Sequence, residues 1–408
     1  MSAATIAVGS ALAIVLVIAC ELLLRIALRW GARYYVWQPG RKLELHPDPA
    51  SHPRLEPMVR FDINEDGERG PPAPGKSERV FRILAAGGST VESFLLNHET
   101  SWPGALQRVL GTPQALAALG RDRIHVGNIG KSGVGAAALE LIFARVLPRY
   151  RRLDLIVIMV GASDVVLWLQ TGCTEVAKAP LDDYFVWHPE GPFGISPRHT
   201  AAWEMLRRIR DRRRARSVER RDNVAKWMGR ARTMRANAKE MRDTTPDPTP
   251  MLDAFDRHFR AALEHARNHA DRVLVLHQPC FEKESYTPEE LALLWNGGVG
   301  KAVFENVTVF YSNDVIFRLM RAVRKLAARA CDDAGVEQLD LMPILERSAN
   351  TYYDHLHHTP AGAAMIASVV ADHILQSAAA VSSPGRSSAP ASLTVAKRSD
   401  VVAAISST

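Results

Sequence analysis

A serine near one end of the chain and an aspartate–histidine pair near the other are the residues best suited to nucleophilic chemistry. Ser89 follows Gly87 and Gly88 at the end of an apolar run, and a segment that can form a helix comes next. Parallel α/β sheets place their active sites at such strand ends, where backbone N–H groups can face a developing oxyanion. By itself, however, a Gly-Gly-Ser-Thr turn is equally typical of a phosphate-binding turn or a helix N-cap.

The far end of the chain supplies the partners that a serine nucleophile needs. A hydroxyl is a weak nucleophile until a base takes its proton, and that base needs an anion to fix its tautomer. Asp354 and His357 are three residues apart, so they lie side by side on one turn. We predict Ser89 as nucleophile, His357 as base and Asp354 as the orienting carboxylate. His355 and His358 lack this spacing, and a surface histidine-rich turn or an adventitious metal site is the alternative interpretation.

Five short apolar runs must form the framework that positions these residues. Several are nearly continuous in Val, Ile and Leu, which is typical of parallel strands buried on both faces. Helical patterns alternate with them, so we predict a three-layer α/β/α fold around a five-stranded parallel sheet. The predicted strands are Arg79–Ala86, Arg123–Ile129, Leu153–Val160, Arg272–Gln278 and Val336–Met342. The predicted helices are Trp102–Leu119, Ala136–Tyr150, Met251–Ala270 and Asn313–Ala334.

The N-terminus predicts a membrane-spanning helix within residues 1–30. Ala3–Cys20 is an apolar run of about 18 residues, the length at which a span becomes the default interpretation. A cleaved signal peptide is the alternative, but no basic side chain precedes the run. Basic residues follow it, which favours a cytoplasmic catalytic domain under the positive-inside rule. We therefore predict a single-pass membrane protein.

Composition divides the rest of the chain. Residues 31–78, rich in Pro, Gly and charge, predict a juxtamembrane linker, and residues 79–376 predict the folded domain. Residues 377–408 carry few large apolar side chains and predict a disordered tail. The four cysteines lack the spacing of a disulfide framework or a zinc site, and we predict neither a metal nor a cofactor.

More than a hundred residues separate the third and fourth predicted strands, far more than a crossover needs. We predict a helical insertion at about 168–250. Glu204–Arg242 holds 15 Lys and Arg against 5 Asp and Glu, which gives this segment a net charge of +10. Since the whole chain has a net charge of +7, the remaining residues carry −3. With Trp203 and Trp227 interleaved, the segment Arg207–Arg235 predicts a surface for anionic lipid or an acidic polymer. A solvated insertion is the equal alternative, and no motif favours nucleic acid.

With both ends in view, the chain resembles the SGNH/GDSL hydrolase superfamily, in its bacterial membrane-anchored type. Four short blocks carry the resemblance in the right order: Gly-Gly-Ser-Thr at 87–90, Asn-Ile-Gly-Lys-Ser-Gly at 128–133, Gly-Ala-Ser-Asp at 161–164 and Asp-x-x-His at 354–357. An upstream Asn-x-x-Gly-x-Arg-Gly at 64–70 resembles a segment that often precedes the domain. The resemblance spans about residues 61–375 and leaves the insertion unmatched. Anchored members often act outside the cytoplasm, so the side of the membrane stays open.

The resemblance implies an oxyanion hole and an activity. The backbone N–H groups of Ser89 and Gly130 are the implied oxyanion donors, while Ser163 replaces the family's third-block Asn. Losing one such donor costs on the order of a hundredfold in rate. The implied activity is hydrolysis of acyl esters, with acetylated sugars or polysaccharide, lipids or small esters as the substrate pool. The alternatives are a polysaccharide O-acetyltransferase and a catalytically weak, membrane-tethered glycan- or lipid-binding protein.

Overall fold

The computed structural model describes residues 3–30, 33–74, 79–176, 178–186, 188, 200–215 and 217–382. The strands in this part of the chain are β1 (Lys42–Pro47), β2 (Val59–Asp62), β3 (Val80–Gly87), β4 (Arg123–Asn128), β5 (Leu153–Met159), β6 (Val218–Val224), β7 (Glu240–Arg242), β8 (Ala270–His277), β9 (Val309–Tyr311) and β10 (Glu337–Asp340). The helices are α1 (Ala3–Trp30), α2 (Ser89–Glu92), α3 (Trp102–Leu110), α4 (Pro113–Leu119), α5 (Ala136–Val146), α6 (Ala162–Gln170), α7 (Leu181–Tyr184), α8 (Ala201–Ala215), α9 (Lys226–Ala236), α10 (Thr249–His269), α11 (Pro288–Leu291), α12 (Asn313–Ala334) and α13 (Pro360–Ser382).

A five-stranded parallel sheet forms the centre of the molecule, in the order β10-β8-β5-β3-β4. Its middle strand β5 is buried along almost its whole length, as the run of Leu, Ile and Val predicts. Helices α5, α6, α10 and α12 pack around one core, and α3, α4 and α13 pack around another. The predicted three-layer fold and its five strands are therefore confirmed. The predicted helix Trp102–Leu119 is two helices, because Thr112 and Pro113 begin a new one after Gly111.

The turn after β3 depends on a glycine. Gly87 has φ +152°, and a β-carbon there would stand 1.9 Å from the carbonyl oxygen of Met159 at the end of β5. Only glycine allows both this conformation and this close approach. The N–H of Gly88 then donates to the same carbonyl oxygen at 3.3 Å. The chain is thereby directed out of the sheet directly before Ser89.

The segment predicted to be a linker is folded in its described part. Strand β1 pairs antiparallel with β2 and parallel with β6, which comes from the predicted helical insertion. Leu43 and Phe61 of this small sheet are buried against one of the two cores. The insertion is therefore not wholly helical. Composition missed β6 because its side chains are exposed and charged, whereas its pairing depends on backbone hydrogen bonds.

Arg69 ties the folded N-terminal segment to the helix that carries Ser89. Its guanidinium is buried, lies 4.4 Å from the Phe61 ring centroid, and donates to the carbonyl oxygens of Glu92, Ser93 and Leu96. Burial lowers the pKa of Arg69 to about 10, so the side chain stays charged at neutral pH. It is the donor to the carbonyl groups of Glu92 and Leu96, and it shares the Ser93 carbonyl with the Leu96 N–H.

Helix α1 is the most exposed apolar element of the described chain. Its stretch Ala4–Leu28 has a mean hydropathy of 2.6 and is only 6% buried. An apolar helix in this position is consistent with a membrane anchor and with a signal sequence. A second apolar helix, Pro360–Ala378, is 39% buried and packs on α3. It belongs to α13, which continues to Ser382 and so overlaps the start of the predicted tail; residues 383–408 lie outside the described part.

Replacing Arg69 by Leu tests the connection between the N-terminal segment and α2. The substitution leaves the buried carbonyl groups of Glu92 and Leu96 without a donor, at a cost of at least about 1 kcal/mol each. We expect a fall in the free energy of unfolding on the order of 2 kcal/mol, measured by thermal unfolding of the detergent-purified protein. Arg79→Leu is the matched control, because Arg79 pairs with Asp122 at the exposed surface. Equal melting temperatures for the two variants would contradict this role for Arg69.

Candidate active site

Ser89 is the first residue of α2 and lies directly beyond the carboxyl end of β3. Its backbone N–H has no hydrogen-bond partner among the described residues. Side chains on both sides fix the turn: Thr90 Oγ1 donates to Gln278 Oε1 at 2.9 Å, and Trp102 Nε1 donates to the Thr90 carbonyl oxygen at 3.0 Å. The serine is thus held on a short, rigid turn with a free N–H beside its hydroxyl.

A continuous chain of hydrogen bonds joins the three predicted catalytic side chains. Ser89 Oγ lies 2.7 Å from His357 Nε2, and His357 Nδ1 lies 2.8 Å from Asp354 Oδ2. The serine and the histidine are 268 residues apart in sequence, and the fold brings them together. With Nδ1–H donating to the carboxylate, Nε2 is the acceptor that faces the serine hydroxyl. The arrangement has the geometry of a nucleophile, a base and an orienting acid.

Asp354 is completely buried, and its carboxylate accepts four hydrogen bonds. The backbone N–H groups of Leu356 and His357 donate to Oδ1 at 2.8 Å each, and His357 Nδ1 and Trp295 Nε1 donate to Oδ2. Burial on its own raises the pKa of Asp354, but the contact with His357 and the backbone donors outweigh it, and the pKa falls well below its usual range. Asp354 is therefore a stable anion. Sequence reasoning missed Trp295, because nothing local links it to position 354.

His357 is partly buried and stacks against a tyrosine. Its ring centroid is 5.5 Å from that of Tyr353, with the planes 9° apart. Burial lowers the pKa of His357, but the Asp354 carboxylate opposes burial more strongly, so the pKa is raised above its ordinary value. The Asp354 carboxylate therefore stabilises the imidazolium form of His357 relative to that of a free histidine side chain.

The two neighbouring histidines serve the fold. His355 Nδ1 accepts from the N–H groups of Trp295 and Asn296 at 3.3 Å, and its Nε2 lies 3.1 Å from Asn313 Oδ1. Burial lowers the pKa of His355 well below its ordinary value, and burial also lowers the pKa of His358 to about 3. Both rings are therefore neutral near pH 7. Neither is hydrogen-bonded to Ser89.

The structure does not present Gly130 as a free oxyanion donor. Its N–H donates to Asn128 Oδ1 at 2.8 Å, and its carbonyl oxygen accepts from Trp37 Nε1 at 2.9 Å. A β-carbon on Gly130 would stand 2.5 Å from the backbone nitrogen of Glu92. Gly130 therefore lies tightly under α2, but the N–H predicted for the oxyanion is already engaged by the neighbouring Asn side chain.

Ser163 faces the turn that carries the serine. It lies in the first turn of α6, and its Oγ is 3.3 Å from the position that a β-carbon on Gly88 would occupy. The adjacent Asp164 points elsewhere: its carboxylate accepts from the N–H of Ala136 at the start of α5, at 3.0 and 3.1 Å. Burial raises the pKa of Asp164 to about 6. Within the Gly-Ala-Ser-Asp block at 161–164, Ser163 is thus the residue that faces the turn of Ser89, while Asp164 holds the start of α5.

The second half of the insertion supports the site. The Trp227 ring of α9 packs edge-on against Trp295, with centroids 4.8 Å apart. Arg232 donates to the carbonyl oxygen of Tyr353 at 3.0 Å, and Arg235 donates to that of Asn296 at 2.7 Å. These arginines are turned inward, so the predicted Arg207–Arg235 segment is not uniformly solvent-facing. Sequence reasoning could not separate them from exposed arginines, because charge alone does not report burial.

A cavity of about 1590 Å³ lies elsewhere on the molecule. Lys42, Asn64, His98 and Arg123 are among the residues that line it, and none of Ser89, His357 or Asp354 does. Cavity volume and side-chain chemistry therefore indicate different places. We place the candidate site at the hydrogen-bonded triad, because polar groups held at catalytic distances are the more specific signal.

The raised pKa of His357 is directly measurable. In histidine-labelled protein, NMR titration should place the pKa of His357 above about 6.5. Asp354→Asn should lower it below that value, because burial then acts without the opposing anion. His357→Gln assigns the signal, while His355 and His358 should stay neutral over the same pH range. An unchanged His357 pKa in Asp354→Asn would show that the carboxylate does not control the ring.

No protein-family model matches the chain, and no curated protein gives a significant match. Among solved structures, the chain is similar to a lipolytic G-D-S-L family protein from Veillonella parvula (8% identity, 71% of this chain and 96% of the other, TM-score 0.38). It is also similar to a protein of the G-D-S-L family from Desulfitobacterium hafniense (14% identity, 72% of this chain and 98% of the other, TM-score 0.35). A third similar structure is that of the acetylxylan esterase Axe2 from Geobacillus stearothermophilus (13% identity, 74% of this chain and 95% of the other, TM-score 0.36). Two of these structures belong to the G-D-S-L family, which the sequence also resembles. At this identity and TM-score, however, the likeness carries no argument about activity.

Proposed function

We propose that this protein is a serine esterase that hydrolyses acyl esters, with Ser89 as nucleophile, His357 as general base and Asp354 as the orienting carboxylate. One observation carries the proposal: the unbroken hydrogen-bond chain from Ser89 Oγ through both ring nitrogens of His357 to a fully buried carboxylate. Side chains from opposite ends of the sequence meet in this geometry, which suits proton removal from the serine hydroxyl.

In the first half of the reaction, Ser89 Oγ attacks the acyl carbonyl carbon while His357 Nε2 takes the hydroxyl proton. The carbonyl π electrons move to oxygen, and the free N–H of Ser89 donates to the resulting oxyanion. Ser163 Oγ is the second candidate donor, since it faces the same turn. The tetrahedral intermediate then collapses: the ester C–O bond breaks, and the leaving alcohol takes the proton from His357. The acyl group remains on Ser89.

In the second half, water attacks the acyl carbon and gives a proton to His357 Nε2. The second tetrahedral intermediate expels Ser89 Oγ, which recovers the proton, and the carboxylic acid leaves. The lowered pKa of Asp354 keeps that group anionic throughout, so it stabilises the imidazolium in both halves. The substrate class supported by these residues is an acyl ester. Acetylated sugars and lipids are the pool that the sequence resemblance suggests.

A second candidate function is a membrane-tethered glycan- or lipid-binding protein of the same fold with weak turnover. The engaged N–H of Gly130 favours it, because an oxyanion would then have one backbone donor and a serine hydroxyl. Polysaccharide O-acetyl transfer uses the same acyl-enzyme with a sugar hydroxyl in place of water. Product analysis with and without sugar acceptors separates transfer from hydrolysis.

Loss of Ser89 or His357 tests the proposed esterase. We expect Ser89→Ala and His357→Ala to abolish labelling by a fluorophosphonate probe and to reduce p-nitrophenyl acetate turnover by at least about a thousandfold. The full-length protein in detergent should be used, since removing residues 1–37 would delete the Trp37 contact with Gly130. Ser217→Ala and His269→Ala are controls outside the site. Wild-type turnover that survives Ser89→Ala would reject the esterase; ligand binding without any labelling would support the second candidate.

Position 163 tests the oxyanion hole. Ser163→Asn places an amide donor where only a hydroxyl now faces the turn, and kcat should rise towards the roughly hundredfold that one oxyanion donor is worth. KM should change little, because the gain belongs to the transition state. Ser163→Leu, similar in size but without a donor, should lower kcat. If Asn and Leu gave the same kcat in folded proteins, Ser163 would have no part in the reaction.

A further inference from the structure

Helix α8 has one face turned to the domain. Glu204 pairs with Arg207 and Arg208, each at 2.7 Å. The same two arginines donate to the carbonyl oxygens of Val186 and His188, at 3.2 and 3.1 Å. Their spacing of three and four residues puts these contacts on one side of the helix. This side anchors α8 to the body of the protein.

The opposite face of α8 is exposed and apolar, with arginines beside it. Trp203, Leu206 and Ile209 are 47%, 61% and 42% exposed. Their spacing of three residues places them in one row. Arg210, Arg213 and Arg214 are also exposed, and neither Arg213 nor Arg214 has a carboxylate partner in the described chain. A row of large apolar side chains flanked by arginines is typical of helices that lie in a membrane interface.

Helix α1 supplies independent evidence for what covers this face. Its apolar side chains are exposed along the whole run that precedes Glu21, including Leu12, Leu16 and Val17 at 68–69%. The run Ala3–Cys20 rises about 27 Å at 1.5 Å per residue, close to the thickness of a bilayer's hydrocarbon core. An exposed apolar surface of this length is typical of a helix that lipid covers.

Glu21 fixes α8 at the end of that run. Its carboxylate accepts from the N–H groups of Ala201 and Ala202 at 2.6 and 3.1 Å, and it also pairs with Arg25 at 2.8 Å. The first turn of α8 is therefore attached to α1 at the level where the apolar residues give way to charged ones. The exposed row on α8 begins one residue later, at Trp203.

We propose that α8 lies in the headgroup layer of the same bilayer that α1 spans. Trp203, Leu206 and Ile209 insert among the upper acyl chains, and the arginines of the exposed face bind the phosphates of anionic phospholipids. A bilayer suits this face better than an acidic polymer, because a polymer would leave the apolar row in water. The proposal does not depend on the esterase activity. It adds a second attachment that fixes the domain's orientation over the membrane.

A fluorescent label on the apolar row tests the proposal in the full-length protein. Cys20 and Cys173, the cysteines that are not buried, are first replaced by Ser. Leu206→Cys is then labelled with an environment-sensitive dye and reconstituted in vesicles of phosphatidylcholine with phosphatidylglycerol. We expect a blue-shifted emission and quenching by lipids that carry a shallow spin label. Leu291→Cys is the matched control, since this leucine is exposed to a similar extent but belongs to α11 and not to α8; its label should stay aqueous.

Charge reversal separates headgroup binding from apolar contact alone. Arg210→Glu, Arg213→Glu and Arg214→Glu together should abolish the blue shift at position 206 in anionic vesicles, while thermal unfolding stays unchanged. A label at 206 that is as aqueous as the one at 291 would overturn the proposal. So would a shift that is equal in phosphatidylcholine alone and insensitive to charge reversal. A shift induced in detergent by dextran sulfate but absent with vesicles would identify an acidic polymer as the partner instead.

Discussion

A carboxylate without solvent contact must have its charge and lone pairs satisfied by the protein, and Asp354 imposes that requirement on several parts of the fold. Two donors come from its own turn, a third from His357 and a fourth from Trp295. The loop that carries Trp295 is held in turn by Arg235 of the insertion. The insertion, remote in sequence from both ends of the triad, is therefore part of what keeps the carboxylate buried and ionised.

The position of Ser89 rests on a different set of constraints. Gly87 brings the end of β3 against β5, and Arg69 caps the carbonyl groups beyond α2. Gly130 packs beneath the same short helix. A turn fixed from three sides keeps the serine hydroxyl at hydrogen-bonding distance from His357 without help from a substrate. In this arrangement the Gly130 N–H donates to the side-chain oxygen of Asn128.

Three histidines within four residues show how strongly environment decides chemistry. His355, His357 and His358 all lose solvent, and burial lowers the pKa of each. Only His357 has an ionised carboxylate against its ring, and that contact reverses the direction of its pKa shift. The same side chain is thus a structural acceptor at one position and the proposed proton carrier at another.

The sequence by itself determined the five central strands, the serine at the end of the first of them and the Asp354–His357 pair, because apolar periodicity and short spacings are properties of neighbouring residues. The tertiary structure alone decided the strand order, the pairing of β1 with β6, the hydrogen bond from Trp295 to Asp354 and the engagement of the Gly130 N–H. It also separated the inward Arg232 and Arg235 from the exposed arginines of α8. The physical reason is that hydrogen bonds and burial between distant segments leave no periodic trace in the local sequence.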